Sequence, residues 1–122
     1  MIPLVFAIAD TPDAIDKTAG LIRRAEVYEL AKTFTPTIEL TILDSENDYS
    51  IQQAEQALNK FFKQNQPRSV RILHRISSNT NYRFGVVILN TDNGVYRVAF
   101  SLKKVDGRFL LNELRIETEK TK

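Results

Sequence analysis

An α+β domain, helices first and strands after them, is the architecture the sequence predicts. Three observations carry that expectation. Apolar residues recur at helical spacing before residue 36 and again between residues 54 and 62. From residue 68 onward the apolar period changes from helical to two. Asn93-Gly94 and Asp106-Gly107 then mark tight turns between successive apolar runs, because such pairs tolerate the positive φ that hairpin turns need.

Thr11-Pro12-Asp13 reads as a helix start: Thr as cap, Pro in the first turn, and Asp at the positive helix end. Ala14, Ile15, Thr18, Ala19, Ile22 and Ala25 give the first buried stripe. Val27, Leu30, Ala31 and Phe34 give a second, with a bend expected around Gly20 and Arg23-Arg24 and a stop at Pro36. Residues 37–43 alternate as a strand, and residues 44–48 read as a polar loop. Ser50 followed by Gln53 forms a capping-box signature, and Ala54, Ala57, Leu58, Phe61 and Phe62 supply the buried face of a third helix. Four strands follow. In the first, Val70, Ile72, His74 and Ile76 are expected to point inward; in the second, Tyr82, Phe84, Val86 and Ile88; in the third, Tyr96, Val98, Phe100 and Leu102. Residues 109–117 form the last strand, with Leu110, Asn112, Leu114 and Ile116 inward. The predicted order is α-α-β-α-β-β-β-β, with the helices on one face of a curved antiparallel sheet.

The chain's 122 residues suit one domain, and 43% hydrophobic with 26% charged residues is too apolar for disorder. Seventeen basic and fifteen acidic residues leave a formal charge of only +2, so no nucleic-acid partner is expected. The absence of cysteine removes disulfides, thiolate catalysis and Cys-ligated metals, and a single His removes His-rich metal sites. No cofactor is expected.

Residues 1–9 read MIPLVFAIA. Ala7-Ile8-Ala9 has the small-x-small form that a signal peptidase accepts, but no basic segment precedes the apolar run, which is too short to span a bilayer. Two readings stand: the tail of a signal peptide, or a short apolar arm packed on the domain. The domain itself is expected over residues 10–118, with a charged tail at 119–122.

Several blocks carry a family likeness: Ile38-Glu39-Leu40-Thr41-Ile42-Leu43, Tyr49-Ser50, Ala54-Glu55, Phe61-Phe62, Ile72-Leu73-His74, Asn93-Gly94-Val95-Tyr96-Arg97-Val98 and Leu114-Arg115-Ile116-Glu117. Together they resemble a domain-of-unknown-function family of small exported proteins of Gram-negative bacteria with the nuclear-transport-factor-2-like (cystatin-like) fold. The resemblance implies a cone of helices on a curved sheet and a periplasmic or cell-envelope location. It implies no activity, since the wider superfamily holds isomerases, dehydratases, transport adaptors and binding modules.

His74 is the sole imidazole, and with Asn112 it is expected to face the concave side, where two polar groups in an apolar pocket orient a small apolar ligand. Tyr82 and Tyr96 complete the pocket candidates. The steroid-isomerase branch of the resembled superfamily uses a pocket Asp base with Tyr and protonated Asp donors, whereas the inward strand positions here hold no Asp or Glu. Asp44, Glu46, Asp48 and Glu55 have an EF-hand-like spacing, but Tyr49 stands where that loop needs Gly, so no metal is expected. The outward sheet positions are expected to carry Arg71, Arg75, Arg83, Arg97, Lys103, Arg115, Glu113 and Glu117 together with Leu73, Val87, Leu89, Ala99 and Leu111. That mixture predicts a homodimer through the outer face, with Leu73, Val87, Leu89 and Leu111 at its centre and Arg71 and Arg75 at its rim. The function expected is that of an exported, non-enzymatic interaction module; the alternative is a small enzyme or ligand carrier using His74.

Overall fold

The computed structural model describes residues 13–120. Residues 1–9, and with them the export reading, lie outside the described residues, as do Thr11 and Pro12. Helix α1 (Ala14–Arg23) is capped by Asp13, not by Thr11; the Asp13 carboxylate accepts from the N–H groups of Ile15 and Asp16 at 2.8 and 3.1 Å. Gly20 lies within this helix, and the bend falls at Ala25. Ala25 takes a left-handed φ of 53° while Glu26 N–H donates to the Leu21 carbonyl and Ala25 N–H to that of Ile22, a Schellman closure built without glycine. Helix α2 (Val27–Ala31) is a short turn.

Strand β1 (Phe34–Ile42) begins earlier than expected, so Phe34 and Pro36 belong to it and not to a helix or its stop. Pro36 sits just before Thr37, where β1 starts to pair with residues 45–50, and within the stretch where β1 leaves its register with residues 108–118. There the missing N–H disturbs no ladder bond. Residues 44–48 are not a loop: β2 (Ser45–Ser50) pairs antiparallel with β1 after a tight turn at Leu43-Asp44. Helix α3 (Ile51–Gln64) opens with the expected capping box at Ser50 and Gln53. Strands β3 (Pro67–Ile76), β4 (Tyr82–Thr91), β5 (Gly94–Val105) and β6 (Arg108–Thr118) form the meander. The Asp106-Gly107 hairpin has positive φ at both residues, as such turns require.

The six strands form one sheet in the order β2-β1-β6-β5-β4-β3. The sheet is mixed, because β1 and β6 run parallel while every other pair is antiparallel. Register shifts in β3 between Ile72 and His74, in β6 at Asn112, and in β1 between Phe34 and Glu39 bend it. Helices α1 to α3 cover one face. Between them and the sheet lies a filled core that includes Ile15, Ile22, Leu30, Leu58, Val87, Leu89, Phe100, Leu111 and Leu114. No described helix is long and apolar enough to cross a membrane.

An ion pair ties edge strand β3 to the start of α1. Arg75 grips Asp16 with both guanidinium nitrogens at 3.0 and 2.9 Å and reaches Asp13 at 3.4 Å. The hydrogen bonds from Arg75 hold the Asp16 carboxyl below its ordinary range, outweighing desolvation. Because folding lowers Asp16, the pair's contribution is complete above the ordinary carboxylate range and is lost as pH falls through the lowered value. Both side chains are more than a third exposed, so the contribution is about 0.5–1 kcal/mol. Arg75→Gln is therefore expected to lower the urea midpoint at pH 7, and its curve should meet that of the parent below about pH 3. A difference that persists unchanged into acid would show that Asp16 is not the group involved.

Candidate functional site

The four pocket candidates are not brought together. His74 is exposed on the helix-free face of the sheet, opposite Val86, because the bulge after Ile72 inserts Leu73 and reverses the alternation. This overturns the expected inward imidazole. Tyr82 lies on the same helix-free face, 38% exposed, and donates to Ser101 Oγ at 3.1 Å. Tyr96 does enter the core, where its hydroxyl donates to Asn65 Oδ1 at 2.7 Å and its ring meets Phe61 edge-on at 5.1 Å. Nothing near Asn65 in sequence marks that pairing, which joins residues 31 apart.

Asn112 is the bulged residue of β6 and lines an outer-face cleft of about 480 Å³ between β1 and β6, with Thr35, Glu39, Lys103 and Leu110. Its Oδ1 is buried without a hydrogen-bond partner.

The expected interface centre is corrected as well. Val87, Leu89 and Leu111 are fully buried in the chain's own core, and Leu73 is the half-buried bulge residue. In β4 both faces are apolar, so alternation alone leaves the phase open; the close approach of Gly85 to Phe100 and Ile15 places the odd-numbered residues inside. Arg75 is turned to the helix side by its pair with Asp16. Arg71 keeps its predicted place on the outer face, opposite Ile88.

The helix-free face is instead built of cross-strand rows. One row, starting from β3, runs Ile76, Phe84, Ser101, Glu113, Glu39 and Asp48. The next runs His74, Val86, Ala99, Arg115, Thr41 and Glu46, and a third Arg71, Ile88, Arg97 and Glu117. Apolar residues of this face, Phe84, Val86 and Ile88, lie on β4, second from the β3 edge, and Val86 and Ile88 are already buried within the chain. The β3 side carries Arg71 and His74, and the β1–β2 side carries Glu39, Glu46 and Asp48. Arg115 lies 3.9 and 3.7 Å from Glu113 and Glu117. Hydrogen bonds link Tyr82, Ser101 and Glu113, the last step at 3.4 Å. The acidic edge went unrecognised because residues 44–48 read as a loop; as a strand, Glu46 and Asp48 share one face. Among the described residues no group of three or more metal-ligating side chains converges.

A model of the family described as Domain of unknown function (DUF4783) matches residues 15–117. The chain belongs to this family. Among solved structures, a DUF4783 protein from Bacteroides uniformis is similar at a TM-score of 0.83 with 22% identity, covering 89% of this chain and 100% of its own. A DUF4783 protein from Bacteroides ovatus gives 0.79 with 25% identity, covering 85% and 94%. A Nostoc punctiforme domain with a cystatin-like fold gives 0.63 with 11% identity, covering 86% and 76%. No curated protein matches the sequence. This DUF4783 domain thus has the α+β, nuclear-transport-factor-2-like (cystatin-like) fold, with its helices on one face of an unclosed, curved sheet.

Proposed function

We propose that this domain is a non-catalytic interaction module that pairs with a second copy of itself through the helix-free face of the sheet. The observation that carries the proposal is the layout of charge on that face. Arg71 and the His74 imidazole lie at the β3 edge of the face, and acidic Glu39, Glu46 and Asp48 lie at its β1–β2 edge. A two-fold axis along the strands through the middle of the face sets each copy's β3 edge against its partner's acidic β1–β2 edge. Ile76 and Tyr82, 49% and 38% exposed, add large apolar groups at one end.

Sedimentation equilibrium at micromolar concentration tests this. The parent should sediment as a dimer. Arg71→Glu should dissociate it by placing like charges opposite one another, and adding Glu46→Arg to that variant should restore it. A monomeric parent, or a dimer indifferent to both changes, rejects the proposal.

A further inference from the structure

A second cavity, on the helix side of the sheet and remote from the pairing face, has a different chemistry. It opens between α3 and the β1–β2 turn, with a volume of about 260 Å³. Its walls are mostly apolar: Ile42, Leu43, Ala57 and Phe61, with Tyr49 beside them. Leu43 is held at the mouth in a left-handed conformation, φ 57°, by an N–H bond to the Ile116 carbonyl at 2.8 Å, and stays 44% exposed. The Phe61 wall is fixed by its edge-on contact with Tyr96.

The polar groups lining the cavity are selective. Asn65 is satisfied at both amide atoms: Oδ1 accepts from Tyr96 at 2.7 Å, and Nδ2 donates to the Phe61 carbonyl at 3.0 Å. That second bond also occupies a helix-end carbonyl that would otherwise repel an anion. The one charged side chain in the lining is Lys60. Its helical neighbours at three and four residues' distance are Gln56, Ala57, Lys63 and Gln64, none of them acidic, and it forms no ion pair among the described residues.

We infer that this cavity binds small monocarboxylates with an apolar body, the carboxylate at the Lys60 ammonium and the body against Phe61 and Leu43. An apolar hollow with a single unpaired cation at its rim complements one negative charge on an otherwise apolar ligand. The volume accommodates about eight to ten non-hydrogen atoms, taking each as roughly the ~30 Å³ that a water molecule occupies in the liquid. Octanoate is a suitable probe, and octanol its uncharged counterpart.

Amide chemical shifts of the isotope-labelled protein, followed during titration with each probe, provide the test. Octanoate should shift Leu43, Ala57, Lys60 and Phe61 saturably. Lys60→Gln should weaken octanoate about fivefold, the loss expected for a partly exposed charge pair, and leave octanol unchanged, while Lys60→Arg should keep most of the affinity. Lys60 is exposed on α3, so neither variant endangers folding. Absence of saturable shifts, shifts centred elsewhere, or equal octanoate affinity in Lys60→Gln would overturn the inference. Because the cavity is remote from the pairing face, each result stands whether or not the protein pairs.

Discussion

Leu89→Lys is expected to leave the chain unfolded in water, while Asn90→Lys, one residue further along β4, leaves it folded. Leu89 is fully buried in the core beneath the helices. Removing its side chain beyond Cβ costs about 3–5 kcal/mol, and an unpaired ammonium in its place adds several more. That exceeds the margin of about 5–15 kcal/mol on which a small domain usually rests, or nearly so. Asn90 points to the opposite face, is half-buried, and loses one hydrogen bond to Ser69 Oγ at 3.1 Å, worth about 1 kcal/mol. Circular dichroism and urea denaturation of the two variants check the phase of the strand directly. A folded, cooperative Leu89→Lys would place that side chain on the outer face and reverse the assignment.

Of the described glycines, Gly85 has the least room for a side chain. A Cβ there would stand 2.8 and 2.9 Å from ring atoms of Phe100 and 3.0 Å from the Cγ2 of Ile15. Phe100 is fully buried, so its ring has no free space to turn into. Gly85→Ala is expected to destabilise by about 1–3 kcal/mol through overpacking, and Phe100→Ala by about 3–5 kcal/mol through the cavity it leaves. Combined, the two should fall short of their sum by at least about 1 kcal/mol, because the added methyl group fills space the ring has vacated. Four urea melts measure this cycle. Additivity within about 0.5 kcal/mol would mean that something other than the Phe100 ring excludes a side chain at position 85.

Helix α3 was legible because Ser50 and Gln53 announce its start and its apolar stripe is unbroken. Strand β5 was legible because Tyr96, Val98, Phe100 and Leu102 alternate with smaller or charged residues. Strand β4 hid its phase, since Phe84, Val86 and Ile88 are as apolar as Val87 and Leu89. Only contact with Ile15 and Phe100, distant in sequence, decides which set is inside. Strand β2 offered just one aromatic, Tyr49, among polar residues, which is what an exposed edge strand needs and also what a loop looks like. His74 and Asn112 were misplaced for a shared reason. Each lies at or just beyond a bulge, and a single inserted residue reverses the alternation between its two sides, after Ile72 in β3 and before Glu113 in β6, without leaving a mark on composition. The parallel pairing of β1 with β6 was not legible at all, since partner choice between distant strands is settled by the whole core.

That parallel pair has a consequence for the order in which the protein is made. Of the six described strands β6 is synthesised last, yet it sits inside the sheet between β1 and β5. The Thr35 hydroxyl bond to the Leu111 carbonyl joins residues 76 positions apart. Until β6 leaves the ribosome, β1 and β5 each present a bare row of N–H and C=O groups, and the apolar face beneath the helices lacks Leu111, Leu114 and Ile116. The nascent chain is therefore two unfinished half-sheets awaiting a keystone. A product cut short before residue 108 would keep both open edges, the form of a β-protein most prone to recruit neighbouring chains.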